Sequence, residues 1–195
     1  MIAGLYDIFA HWHKQGTVWI YSDTHFNDKE LGKGVAARPS AEEHLKLINS
    51  KVGKKDTLIL LGDVGDVEIA RRLKGYKILI AGNHDAGMSN YKEVFDEVYA
   101  GALIVGEKLI LSHEPVNVPW AFNIHGHVHS GEPMSDNQHF NVCGEARKCY
   151  EPVNLNQFMK AGFMSKIQTI HRDTIDKATK RARKRGKKLG KKMEA

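Results

Sequence analysis

Five apolar runs in this chain each end in residue types that ligate metals, and this pattern restricts the folds open to it. Thr17–Ser22 leads into Asp23 and His25, and Thr57–Leu61 leads into Gly62-Asp63. The run ending at Ala81 leads into Asn83 and His84, Leu111 into Ser112-His113, and Ile124 into His127 and His129. One such coincidence carries little. Five in order require several strands to deliver carboxylates and imidazoles to one common edge, and in α/β sheets ligands bind beyond the carboxyl ends of the strands.

The segments between these runs indicate how the strands are joined. Ser40, with Glu43 three residues on and Ala41, Leu45, Ile48 and Val52 in one stripe, predicts a capped helix on which His44 is a surface residue. Residues 66–74 give a second helix, and Ser89 with Tyr91, Val94, Phe95 and Val98 gives a third. Residues 5–14, with Leu5, Ile8, Phe9 and Trp12 at helical spacing, give a helix before the first strand, and His11 and His13 find no converging motif. After Tyr99 the rhythm turns to short strands: a hairpin around Gly106-Glu107, then 121–124, 139–142 and 152–153, before Asn154 caps a last helix. The expected fold class is α/β, two stacked mixed β-sheets flanked by helices, over residues 1–163. A basic tail, helical or disordered, occupies 164–195.

At 195 residues the chain suits one well-buried domain. No run approaches the roughly 20 apolar residues of a membrane span, and the start lacks a secretion signal, so a cytoplasmic, non-membrane protein is expected. Cys143 and Cys149 are too few for a disulfide scaffold; Cys143 reads as a small buried side chain. The net charge of +6 is uneven: residues 177–195 hold ten of the 29 Lys and Arg and one of the 23 Asp and Glu, leaving 19 basic against 22 acidic elsewhere. The body is thus mildly acidic. The tail admits two readings, an arm for nucleic acid or another polyanion, or a solvated terminal helix.

Asp23, His25, Asp63, Asn83, His84, His113, His127 and His129 are too many polar groups to gather for structure alone, because each buried one needs a partner. They suit two divalent cations about 3.5–4 Å apart, with Asp63, alone at its strand end, as the bridging carboxylate. Two carboxylates among neutral ligands leave such a pair of ions with about +2, which favours an anionic ester as substrate over a peptide.

Asp23-Thr24-His25, Gly62-Asp63-Val64-Gly65-Asp66, Gly82-Asn83-His84-Asp85, Leu111-Ser112-His113 and Gly126-His127-Val128-His129 resemble the five signature blocks of calcineurin-like metallophosphoesterases. The resemblance implies that Asp23, His25 and His129 hold one metal, that Asp63 bridges, and that Asn83, His113 and His127 hold the other. A metal-bridging hydroxide would then attack phosphorus in line. His84 would be general acid to the leaving oxygen, with Asp66 its carboxylate partner and Asp85 a weaker supporting carboxylate. Mn²⁺ is the favoured ion, with Fe, Zn, Ni or Mg as alternatives.

Two departures narrow the class. Val67 follows Asp66 where the protein Ser/Thr phosphatases of this superfamily carry Arg-Gly, and Asp85 stands in place of their usual glutamate. The resemblance therefore points to a small bacterial- or phage-type phosphoric ester hydrolase acting on diesters or nucleotide-type substrates. A non-catalytic scaffold on the same fold, and a nuclease using the basic tail, are the alternatives.

Overall fold

Strands with apolar side chains on both faces must be covered on both faces, and that requirement organises the molecule. The computed structural model describes residues 16–29, 31, 38–85, 89–105 and 108–167. The helix expected over 5–14 and the stretch from 168 onward lie outside the described residues. The first sheet contains β1 (Val18–Tyr21), β2 (Thr57–Leu61), β3 (Tyr76–Ile80), β4 (Glu97–Tyr99) and β9 (Val153–Asn154), in the order β4-β3-β2-β1-β9. β1 to β4 run parallel, and β9 is antiparallel to β1. The second sheet has the order β5-β6-β7-β8, from β5 (Leu103–Val105), β6 (Leu109–Leu111), β7 (Phe122–His125) and β8 (His139–Asn141). β5 and β6 form the expected hairpin, and β6, β7 and β8 are parallel. Both sheets are mixed, as the sequence predicts.

Alternation along the first sheet feeds two cores. Val18, Ile20, Ile59, Leu61, Ile78 and Ile80 face the second sheet and meet Leu109, Leu111, Phe122 and Ile124. The opposite side chains, Tyr21, Leu58, Leu60 and Leu79, pack against α1 (Ala41–Lys51) and α2 (Val67–Arg71). Burying each such side chain contributes about 1.5–3 kcal/mol. α1 starts as expected, with the reciprocal Ser40–Glu43 capping box. A short α3 (Gly144–Arg147) follows β8, and α4 (Leu155–Lys160), capped by Asn154, closes over the inter-sheet core through Leu155 and Phe158. Met164 and Ile167 also pack onto that core.

Two expectations need correction. The helix predicted from Ser89 is a single 3-10 turn, Tyr91–Glu93, followed by strand β4. Tyr91, Val94 and Phe95 are buried as the helical spacing implied, but Asp96 exchanges hydrogen bonds with the Lys77 backbone (2.7 and 2.8 Å), which draws the chain onto the edge of β3. His44 is buried, not at the surface: it is 1% exposed, with Nε2 2.8 Å from the Tyr21 hydroxyl.

Candidate metal centre

The residues singled out in the sequence leave the carboxyl ends of parallel strands, so the two sheets deliver them from two sides. β1, β2 and β3 supply Asp23 and His25, Asp63, and Asn83; β6 and β7 supply His113, and His127 with His129. The sheets meet at this edge, where Ser22 bridges to Cys143 after β8. Tight turns place the candidate ligands: Asp23, His25, Asp63 and His127 all have positive φ (54°, 39°, 53° and 67°), a sparsely populated region for non-glycine residues that clusters at functional sites. Glycine is needed where backbone and ligand nearly touch. A Cβ on Gly82 would collide with Asp63 Oδ1 and His113, and one on Gly126 with Asp23 Oδ2 and Ser22.

Two groups form. Ligand atoms of Asp23, His25 and His129 lie within 4.8 Å of one another, as do those of Asp63, His113 and His127. Asp63 Oδ2 stands between them, 3.5 Å from His25 Nε2 and 3.4 Å from His113 Nε2, while Oδ1 accepts the His84 amide at 2.9 Å. Asn83 Oδ1 joins the second group, 2.8 Å from His113 Nε2 and 3.1 Å from His127 Nδ1. Asp23 accepts the His127 amide at 2.9 and 3.1 Å, with Oδ1 3.5 Å from His129 Nε2.

Ring tautomers follow from the partners. His113 Nδ1 faces the Leu61 carbonyl at 2.9 Å and His25 Nδ1 faces Asp28 at 3.0 Å, so each donates there and turns a lone pair at Nε2 toward the centre. His25 Nε2 is buried without a hydrogen-bond partner. His113 Nε2 and Asn83 Oδ1 are then two acceptors at 2.8 Å with no proton between them. Converging lone pairs and an orphaned buried nitrogen are what divalent cations satisfy, so the residues fit the metals the sequence implied. Burial pushes the Asp23 carboxyl up and the His25 imidazole down, and the neutral imidazole is the ligating form.

The remaining candidates are placed differently. His84 is exposed, its ring 5.4 Å from that of His25, and takes no part in either group. Asp66 forms no hydrogen bond with His84. Its carboxylate caps α2 at Glu68 and Ile69 (2.9 and 3.3 Å) and accepts from Asn27 at 2.7 Å. The free amides of a helix start compete for a carboxylate at that position. Asp85 is buried and accepts three backbone amides, Asp63, Val64 and Gly82, at 2.8–2.9 Å, so it fixes the loop carrying Asp63. His125 donates to the adjacent Gly126 carbonyl, and His139 lies between Asp136 and the Val116 carbonyl; neither belongs to the two groups. Cys143 is buried as expected, at the start of α3.

Three partners escaped the sequence. Asp28 lies three residues past His25, a spacing that is legible only once the ligand is known. Glu145 approaches His129 Nδ1 at 3.4 Å, and Arg38 binds Glu145; neither sits in a motif. Burial alone would raise Glu145, but His129, Cys143 and Arg38 outweigh it and bring the carboxyl down to about 2.

A two-sheet α/β fold with paired carboxylate–histidine clusters at one edge is the arrangement of an α/β protein suited to divalent metals. Residues 16–185 match the calcineurin-like phosphoesterase family, and the chain belongs to it. No curated protein matches significantly. Among solved structures, the chain is similar to a protein of unknown function from Aquifex aeolicus, at 26% identity and a TM-score of 0.63, covering 74% of this chain and 98% of the other. It is more distantly similar to nuclease MPE of Pseudomonas putida (22% identity, TM-score 0.43, 57% and 61% covered). The third is the E. coli phosphoesterase YfcE (16%, 0.41, 71% and 82%). No helix among the described residues is long and apolar enough to cross a membrane.

Proposed function

We propose that the protein is a dinuclear-metal phosphoesterase that cleaves phosphodiesters or nucleotide-type esters. The observation that carries this reading is the position of Asp63 Oδ2, nearly equidistant from the Nε2 atoms of two ligand groups. Asp23, His25 and His129 would hold one divalent ion and Asn83, His113 and His127 the other, with Asp63 shared. Two ions so held would supply an activated water nucleophile and neutralise charge developing on the phosphoryl oxygens. Mn²⁺ suits this oxygen- and imidazole-rich set.

The chain's own groups do the rest. His25 and His113 are fixed by Asp28 and the Leu61 carbonyl, so their lone pairs need no reorganisation. His84, exposed beside His25, stands free of both ligand groups and would protonate the leaving oxygen. Asp66 makes no hydrogen bond to it and would act on the site through the Asn27 loop. A clamp for a doubly charged terminal phosphate is absent from the place after Asp66, which Val67 occupies, and this favours a diester. The free cysteines Cys143 and Cys149 suit a reducing, cytoplasmic setting.

The test is a panel of mononucleotide, cyclic nucleotide, dinucleotide and single-stranded DNA, with Mn²⁺ and with chelator. Diester cleavage that requires Mn²⁺ is expected. Equal turnover in chelator would refute the proposal.

A further inference from the structure

Arg38 joins the two halves of the first ligand group. Its guanidinium donates to Glu145 Oε1, to the Asp23 carbonyl and, at 2.6 Å, to the Thr24 carbonyl. Glu145 turns its other oxygen to His129 Nδ1 at 3.4 Å and accepts the Cys143 thiol at 2.9 Å. Both charged side chains are deeply buried, 8% and 6% exposed. Burying such a pair costs desolvation that its own attraction barely offsets, so packing alone gives little reason to keep it. Its placement gives a better one. One end grips the backbone carbonyls of Thr24 and of Asp23, whose φ is positive, in the segment delivered by β1, and the other faces the outer ring nitrogen of His129, delivered by β7.

A carboxylate on Nδ1 fixes a ligating histidine's tautomer and aims Nε2 inward, as Asp28 does for His25. We infer that Arg38 and Glu145 are positioning residues that preset Asp23 and His129, and so set the affinity of the divalent ion held by the Asp23–His25–His129 group. The inference rests on the two-ion reading above. His129, Cys143 and Glu145 could also gather around a separate metal. Against this, Glu145 is already held by Arg38 and accepts the thiol proton.

Calorimetric titration of the metal-free full chain with Mn²⁺ tests the inference, comparing wild type with Glu145→Gln, Arg38→Ala and the double variant. One of two binding steps should weaken by about 10- to 100-fold in each single variant, with the other step retained. The double variant should be no worse than the weaker single one, because the pair acts as a unit. High Mn²⁺ should restore most of kcat. If Arg38→Ala does not fold, Glu145→Gln, which keeps the volume and the carbonyl contacts of Arg38, decides alone. Two ions bound by wild type and variants with equal affinity would overturn this inference only. No Mn²⁺ uptake by wild type would overturn the two-ion reading and the inference with it.

Discussion

Asp63 divides its carboxylate between two tasks: Oδ1 holds the His84 amide, and Oδ2 faces the two histidine groups. Asp63→Asn should therefore lower bound Mn²⁺ and abolish metal-dependent turnover together. His84→Ala should separate the two, reducing kcat by about 10²- to 10⁴-fold while both ions remain bound. Elemental analysis beside the kinetics checks this, and loss of metal in His84→Ala would make that residue a ligand. All seven expected ligands converge, because strand ends followed by Asp or His are legible in one dimension. Most of their supports were not. Asp85 stood in the Gly82-Asn83-His84-Asp85 block, but Asp28, Arg38 and Glu145 are identified only by what they touch, and a contact such as Arg38 with Glu145, 107 residues apart, has no spacing rule. The positive φ of Asp23, His25, Asp63 and His127 falls on residues that carry no glycine to mark it.

α1 shows what an apolar stripe conceals. Ala41, Leu45 and Ile48 define its inner face, and His44 lies three residues from Ala41 and four from Ile48, on the margin of the same arc. Burial lowers its pKa to about 3. The unfolded chain, near 6.5, takes up that proton first, so neutral His44 stabilises the fold above pH 6.5 and the contribution is lost as pH falls toward 3. Across that window the slope approaches about 1.4 kcal/mol per pH unit. Urea unfolding between pH 7 and 4 should show it, and His44→Gln should flatten the dependence. An unchanged slope would mean that His44 is protonated in the fold. The turn at Tyr91–Glu93 teaches the converse: helical spacing identified the buried residues, but pairing with β3 decided the conformation.

At the scale of the molecule, the two stacked sheets share one apolar core and one polar edge. The stacking was legible because the rhythm of strands changed after Tyr99; the exact partners of each sheet were not, since strand order depends on contacts far apart in the chain. Phe158 plugs the core beside Phe122 and Phe140, with ring centroids at 5.6 and 4.7 Å, and Phe158→Ala should cost about 3–5 kcal/mol in denaturant unfolding. Residues 177–195 carry the positive charge. If they track nucleic acid, their removal should weaken binding and flatten its salt dependence; unchanged binding after truncation would exclude that role.

Each proposed ion draws ligands from both sheets, so activity should depend on filling both positions. Metal-free protein titrated with Mn²⁺ against a chromogenic phosphodiester should gain activity up to the second equivalent and lose it to chelator. Activity that persists in chelator, or that is complete at one equivalent, would contradict the two-ion account.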